Sequence, residues 1–126
     1  MNPVAERRVL QLVIAVAGLV PVGAGLWGAL GHMGTVGGAS ASQARYLSGL
    51  LLGIGLAFWA CIPSIERRGA EVRALALIVA VGGLARLLGA FETGISRAVL
   101  LPLIMELGVT PAVALWRERV ARRLAA

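Results

Sequence analysis

The sequence predicts an all-α integral membrane protein, a four-helix bundle of up-down-up-down order with both termini cytoplasmic. Three observations carry this. Apolar residues make up 59% of the 126 residues, and mean hydropathy is +0.87, against the roughly 45–50% apolar content of soluble domains. Four apolar stretches, at about residues 9–30, 46–65, 72–91 and 98–116, each reach the roughly 20 residues that cross about 30 Å of hydrocarbon. Most charges gather at the ends of these stretches. The chain therefore reads as one transmembrane domain over residues 1–126, with a basic tail over residues 117–126.

The stretches are continuous rather than alternating, and rich in Leu and Ala, which argues against membrane strands. The 17 glycines suit helices that approach closely in lipid. In the first stretch Gln11, Ile14, Gly18, Pro21, Gly25, Gly28 and His32 recur at spacings of three and four, so they trace one seam. Arg7 and Arg8 before it and Ala39-Ser40-Ala41 after it imitate a signal peptide. The apolar run is longer than the 7–15 residues of such a signal, so it is expected to be a span.

In the second stretch Arg45, Ser48, Gly49, Leu52 and Gly53 share a face, and Gly49 to Gly53 is a GxxxG pair. In the third, Gly82, Gly83, Gly89 and Ala90 surround Arg86 at helical spacing. In the fourth, Pro102 and Thr110 lie near the Glu106 face. Pro111 cannot donate to the Leu107 carbonyl and, with Gly108, predicts a kink beside Glu106. Gly18, Gly25, Gly28, Gly49, Gly53, Gly82, Gly83 and Gly89 are the expected helix-packing glycines.

Three connections join the spans. Residues 31–44 form a Gly- and Ser-rich outer loop, read either as a surface loop or as a lid. Glu66 to Arg73 is a charged turn, and Glu92 to Arg97 is a tight turn around Gly94. The tail after Trp116 is expected to run as a basic helix along anionic headgroups.

All 12 basic residues are arginine and all 6 acids are glutamate. Nine arginines flank the termini and the middle turn, whereas Arg45 and Arg97 lie on the opposite side. The positive-inside rule then puts the termini and the middle turn in the cytoplasm. Trp27 and Tyr46 are expected at the outer interface, and Trp59 and Trp116 at the inner one. A pI near 11.5 also suits nucleic acid. The arginines flank apolar spans, however, and no basic face with interleaved aromatics exists, so no nucleic-acid partner is expected.

Two charges break the pattern. Arg86 lies inside the third stretch and Glu106 inside the fourth. Intramembrane charges usually face a bundle interior and mark a site. Arg86 is thirteen residues from Arg73, about 20 Å along a helix, and Glu106 is nine residues from Arg97, about 14 Å. These depths let the two side chains meet. An Arg86–Glu106 ion pair is therefore expected, joined by Arg45 or Glu92 from the outer rim. Such a pair can fix helix register or hold a ligand, and Arg86 alone can instead reach outward to headgroups.

The sequence holds no Asp or Lys, one His (His32) and one Cys (Cys61). That excludes most triads, phosphate loops and metal sites, so no metal, cofactor or catalytic residue is expected. Cys61 has no partner for an internal disulfide.

The stretch Arg45-Tyr46-Leu47-Ser48-Gly49-Leu50-Leu51-Leu52-Gly53-Ile54-Gly55-Leu56 resembles the second-helix pattern of a bacterial four-helix membrane family, domain of unknown function 4345. Leu84-Ala85-Arg86-Leu87-Leu88-Gly89 resembles its third-helix arginine motif, and Glu106 the acid of its last helix. The resemblance runs from the first helix through Trp116. It implies four helices, a bacterial inner membrane, and a common site for Arg45, Arg86 and Glu106. It implies no activity. A likeness to small DoxX-type proteins is architectural only.

Two functional classes are weighed, the first as the leading reading and the second as its alternative. One is a structural or accessory membrane protein that binds other subunits or itself through small-residue faces. The other is a binder or carrier of a small molecule, lipid or quinone at the Arg/Glu cluster. An enzyme comes last.

Overall fold

The computed structural model describes residues 2–30, 39–94 and 97–126. Among them the chain is helical throughout: α1 (Pro3–Ala17), α2 (Leu19–Ala29), α3 (Ala39–Cys61), a tighter turn (Ile62–Arg67), α4 (Gly69–Thr93), α5 (Arg97–Ile104), a wide turn (Met105–Val109) and α6 (Thr110–Ala125). They make four helices long and apolar enough to cross a membrane: Pro3–Ala29, Ser42–Arg67, Gly69–Glu92 and Val99–Ala125.

Each helix outruns its apolar stretch, for local reasons. Asn2 and Pro3 start α1 six residues before the first apolar run. The Asn2 side chain accepts from the Val4 N–H at 2.9 Å, and proline at the first helical position wastes no donor. The α1–α2 break follows from Pro21, which has no N–H for the Ala17 carbonyl. The Gly18 and Val22 N–H groups still bond four residues back, so the axis continues. At Gly94 φ is +89°, a region open to glycine, and its N–H closes α4 on the Ala90 carbonyl at 2.7 Å. This is the glycine expected to make the tight turn; residues 95 and 96 lie outside the described residues. So do residues 31–38, including His32 and most of the expected loop, while residues 39–44 are already in α3.

The chain divides into two compact units, residues 11–63 and residues 1–10 with 64–126. The first is an antiparallel pair of α2, with the end of α1, against α3. Its ladder of contacts descends in order. A Cβ at Gly25 would stand 2.7 Å from Leu52 Cα and 2.8 Å from the Ser48 carbonyl oxygen. A Cβ at Gly55 would meet Val22 Cγ2 at 2.6 Å, and Gly18 lies against the Trp59 indole. Trp59 donates to the Ala15 carbonyl at 3.2 Å, and Gln11 to the Ile62 carbonyl at 2.7 Å.

The second unit sets α4 antiparallel to α5 and α6. Val72, Ala76, Gly83 and Ala90 form the buried stripe of α4. The fully buried large side chains Leu10, Ile65, Val72 and Val120 all belong to this unit. Outside these stripes the helices expose leucine, isoleucine and valine along their length, including Leu12, Leu77, Leu84, Leu88, Leu101 and Leu115. Water would not tolerate so much apolar surface, whereas lipid does.

Candidate functional site

The site begins with a glycine. Gly83 is buried in the α4 stripe, and a Cβ there would stand 2.9 Å from Glu106 Cβ and from Leu107 Cγ and Cδ2. Its bare backbone therefore lets the wide turn lie directly on α4. Arg86, one helical turn further, then meets Glu106. Its Nε donates to Oε1 and Oε2 at 3.2 and 3.3 Å, and Nη2 donates to Oε1 at 3.0 Å. Both carboxylate oxygens are engaged by one edge of the guanidinium, the geometry that makes Arg–carboxylate pairs strong.

The wide turn that carries Glu106 has a chemical origin. Pro111 cannot donate to Leu107, and the Thr110 N–H reaches past Glu106 to the Met105 carbonyl, five residues back. The Thr110 hydroxyl donates to the same carbonyl at 2.9 Å. The expected kink thus takes the form of a π-turn, which widens the helix at Glu106. Such turns are frequent at functional sites.

The pair is not sealed. The Arg86 side chain is 40% exposed and that of Glu106 17%. Arg86 lies at the edge of the buried stripe. Gly82 and Gly89 share its face on the open side, and a Cβ at either would meet nothing within 4 Å. The missing side chain at Gly82 therefore leaves a shallow notch beside the guanidinium. Its Nη1 has no hydrogen-bond acceptor among the described residues.

The other expected members are Glu92 and Arg45. Glu92 is six residues from Arg86, which carries it about 120° around α4, and it is exposed. Arg45 is exposed and belongs to the other unit. Neither makes an ion pair among the described residues. The glycines also divide. Gly18, Gly25 and Gly83 receive a neighbour, and Gly28 is buried. At Gly49, Gly53, Gly82 and Gly89 a Cβ meets nothing within 4 Å among the described residues. They sit outside the contact stripes of their helices. Gly55, two residues beyond the GxxxG pair, is the one that takes α2.

The family described as Domain of unknown function (DUF4345) matches residues 9–117. The chain belongs to this DUF4345 family. No curated protein and no solved structure matches it. The match takes in the whole Arg86–Glu106 site and stops one residue past Trp116.

This DUF4345 chain also holds a second polar cluster that sequence reasoning missed, at the arginine-rich end of the same unit. Glu6 is 5% exposed, and it accepts from the Trp116 indole at 2.9 Å and pairs with Arg123. Arg119 stands 3.7 Å away. Arg117 is 3% exposed and donates through Nη1 to the Ile65 and Glu66 carbonyls, each at 3.3 Å. Glu118 bridges Arg117 Nη2 at 2.8 Å and Arg73 Nη1 at 2.5 Å, while Arg7 pairs with Glu66 at 2.7 Å. Gly69 admits the Arg117 guanidinium, which a Cβ would meet at 2.9 Å.

These acids lie outside the apolar stretches, and all three are held below the ordinary carboxylate range. The Trp116 hydrogen bond does so for Glu6, the Arg7 hydrogen bond for Glu66, and hydrogen bonds from Arg117 and Arg73 for Glu118. The signal in the sequence was that Glu6, Glu66, Glu71 and Glu118 all fall among the clustered arginines. Much of the tail's charge thus meets partners within the protein. Trp59 and Trp116, expected at an interface, likewise spend their N–H groups inside the protein.

Among the described residues no three His, Cys, Asp or Glu side chains converge. The groups that the Arg86 site offers are guanidinium N–H donors and one paired carboxylate.

Proposed function

We propose that this protein is a multi-pass inner-membrane protein of bacteria that binds a lipid-soluble small molecule at the Arg86–Glu106 pair. One observation carries the reading. A pair built only to fix helix register would be closed on all sides, because a charge facing hydrocarbon is costly. Here the Arg86 side chain stays 40% exposed, with open space beside it at Gly82. The up-down-up-down order and cytoplasmic termini are supported by the arginine bias alone.

The test is native mass measurement of the protein released in mild detergent from the membranes that make it. One bound apolar molecule is expected on the wild type, and none on the Arg86→Gln/Glu106→Gln double variant. A wild type that flies as a clean, ligand-free monomer contradicts the reading.

A second reading, an accessory protein that binds other subunits or itself, is favoured by a different observation. Gly49 and Gly53 form an open GxxxG face on α3. It predicts a fixed oligomer or a stoichiometric partner in the same spectrum, lost in Gly53→Leu.

A further inference from the structure

We infer that the molecule bound at the Arg86–Glu106 pair presents a neutral carbonyl oxygen and carries no charged headgroup. This rests on the binding reading above and narrows it by two independent arguments.

The first is charge. A guanidinium has five N–H donors. Nε and Nη2 are turned to Glu106, and Nη1 has no acceptor among the described residues. The pair as a whole is formally neutral. An anionic head added to it leaves a net negative charge where the dielectric constant is low and charge is least tolerated. An anion that displaced Glu106 would strand that carboxylate, which is 17% exposed, without its partner. A neutral carbonyl has neither problem. It offers lone pairs to the Nη1 donors, which otherwise stay unsatisfied in an apolar medium, and it adds no charge.

The second is depth. Arg86 lies seven residues from the Thr93 end of α4, about 10 Å along the axis. Glu106 lies nine residues from the Arg97 start of α5, about 14 Å. Glu106 holds the guanidinium at that level, so Arg86 is not free to extend outward. The ester carbonyls of a phospholipid sit at the edge of a hydrocarbon core about 30 Å thick. To reach the pair, such a lipid would pull its phosphate about 10 Å into hydrocarbon. A ketone or quinone ring on an apolar chain reaches it without moving a charge. The notch fits this occupant: a Cβ at Gly82 would meet nothing within 4 Å, which leaves room for a flat head beside the guanidinium.

The experiment uses the full chain in phosphatidylcholine nanodiscs. Three probes are compared by the amount retained above empty discs: a decyl-substituted benzoquinone, decanoate, and a short-chain phosphatidylglycerol. The quinone is expected to be retained, and the two anions to stay at background. Retention should fall at least tenfold in Arg86→Gln/Glu106→Gln. It should fall likewise in Gly82→Leu, which fills the notch without touching the pair and keeps the test valid where the double variant fails to fold. Decanoate or phosphatidylglycerol retained in preference to the quinone, and lost in Gly82→Leu, overturns the neutral-carbonyl inference while the binding reading stands. A wild type that carries a native molecule yet retains none of the three also overturns it. Equal retention of every probe by wild type and both variants overturns the inference and the binding reading together.

Discussion

A Cβ placed on Gly83 would lie 2.9 Å from the Cβ of Glu106, closer than real Cβ contacts come. The atom it meets is fixed to the backbone and cannot swing aside. Gly83 therefore sets the distance between α4 and the π-turn. Gly83→Val should push the turn away and destabilise the protein by about 1–3 kcal/mol, the usual range for overpacking. The Arg86–Glu106 bonds should lengthen with it. Gly82→Val, one residue earlier and facing open space, should leave stability unchanged. Paired unfolding curves in detergent check the contrast.

Arg86 and Glu106 should behave as one unit. Removing either alone leaves the other charge unpaired, so Arg86→Leu and Glu106→Leu should each destabilise. The double variant should cost less than the sum of the two. Residues in contact through such a network couple by about 0.5–3 kcal/mol. A double-mutant cycle measures this directly, and a coupling of zero would mean that the bonds seen here contribute nothing.

In the other unit, Gly25 and Gly53 should differ as sharply. Any side chain at Gly25 runs into the α3 backbone at Leu52 and Ser48. Gly25→Ala should destabilise the α2–α3 pair by about 1–3 kcal/mol. Gly53→Ala meets nothing and should be neutral for the fold. If Gly53→Ala instead splits an oligomer without lowering monomer stability, the GxxxG face is an interface with another chain.

The second cluster predicts an acid-sensitive end. Glu6, Glu66 and Glu118 have native pKa values below the ordinary glutamate value of about 4.3. A lowered native value stabilises the charged form. The stability it adds is complete above the ordinary value and is lost as pH falls through the lowered ones. Melting temperature should therefore hold steady above about pH 5 and drop below about pH 4. Glu6→Gln should lower the neutral plateau and flatten the drop. Proteolysis of the tail beyond Arg117 should also become faster, since Glu6 ties Arg123 and Trp116 to the start of α1.

Much of this was legible in the sequence, and the boundary is physical. The four spans were readable because hydropathy and length are local properties. Arg86 and Glu106 were readable because each breaks an apolar run, and helical rise from the span ends brought them to compatible depths. The glycines were less readable. A glycine reports that something can approach, but a one-dimensional pattern does not say from which side. Thus Gly49 and Gly53 match a motif and face open space, while Gly55 takes the contact. Glu92 shows the same limit: it lies near Arg86 in sequence but about 120° away around α4. Pro111 announced an irregularity, but not that Thr110 would skip Glu106 to bond Met105. Arg117 looked like one more solvated cation. Its burial depends on the Ile65 and Glu66 carbonyls, fifty residues away.

Photolabelling tests the central claim most directly. A decyl ketone with a diazirine beside its carbonyl inserts into whatever protein lies against the head. With the Arg86–Glu106 pair as a binding site, label should concentrate on residues 82–89 and 101–107. It should fall when unlabelled quinone competes and vanish in Arg86→Gln/Glu106→Gln. Label spread evenly over the exposed apolar surface, reaching Leu12, Leu77 and Leu115 as strongly and unchanged in the double variant, would contradict the account.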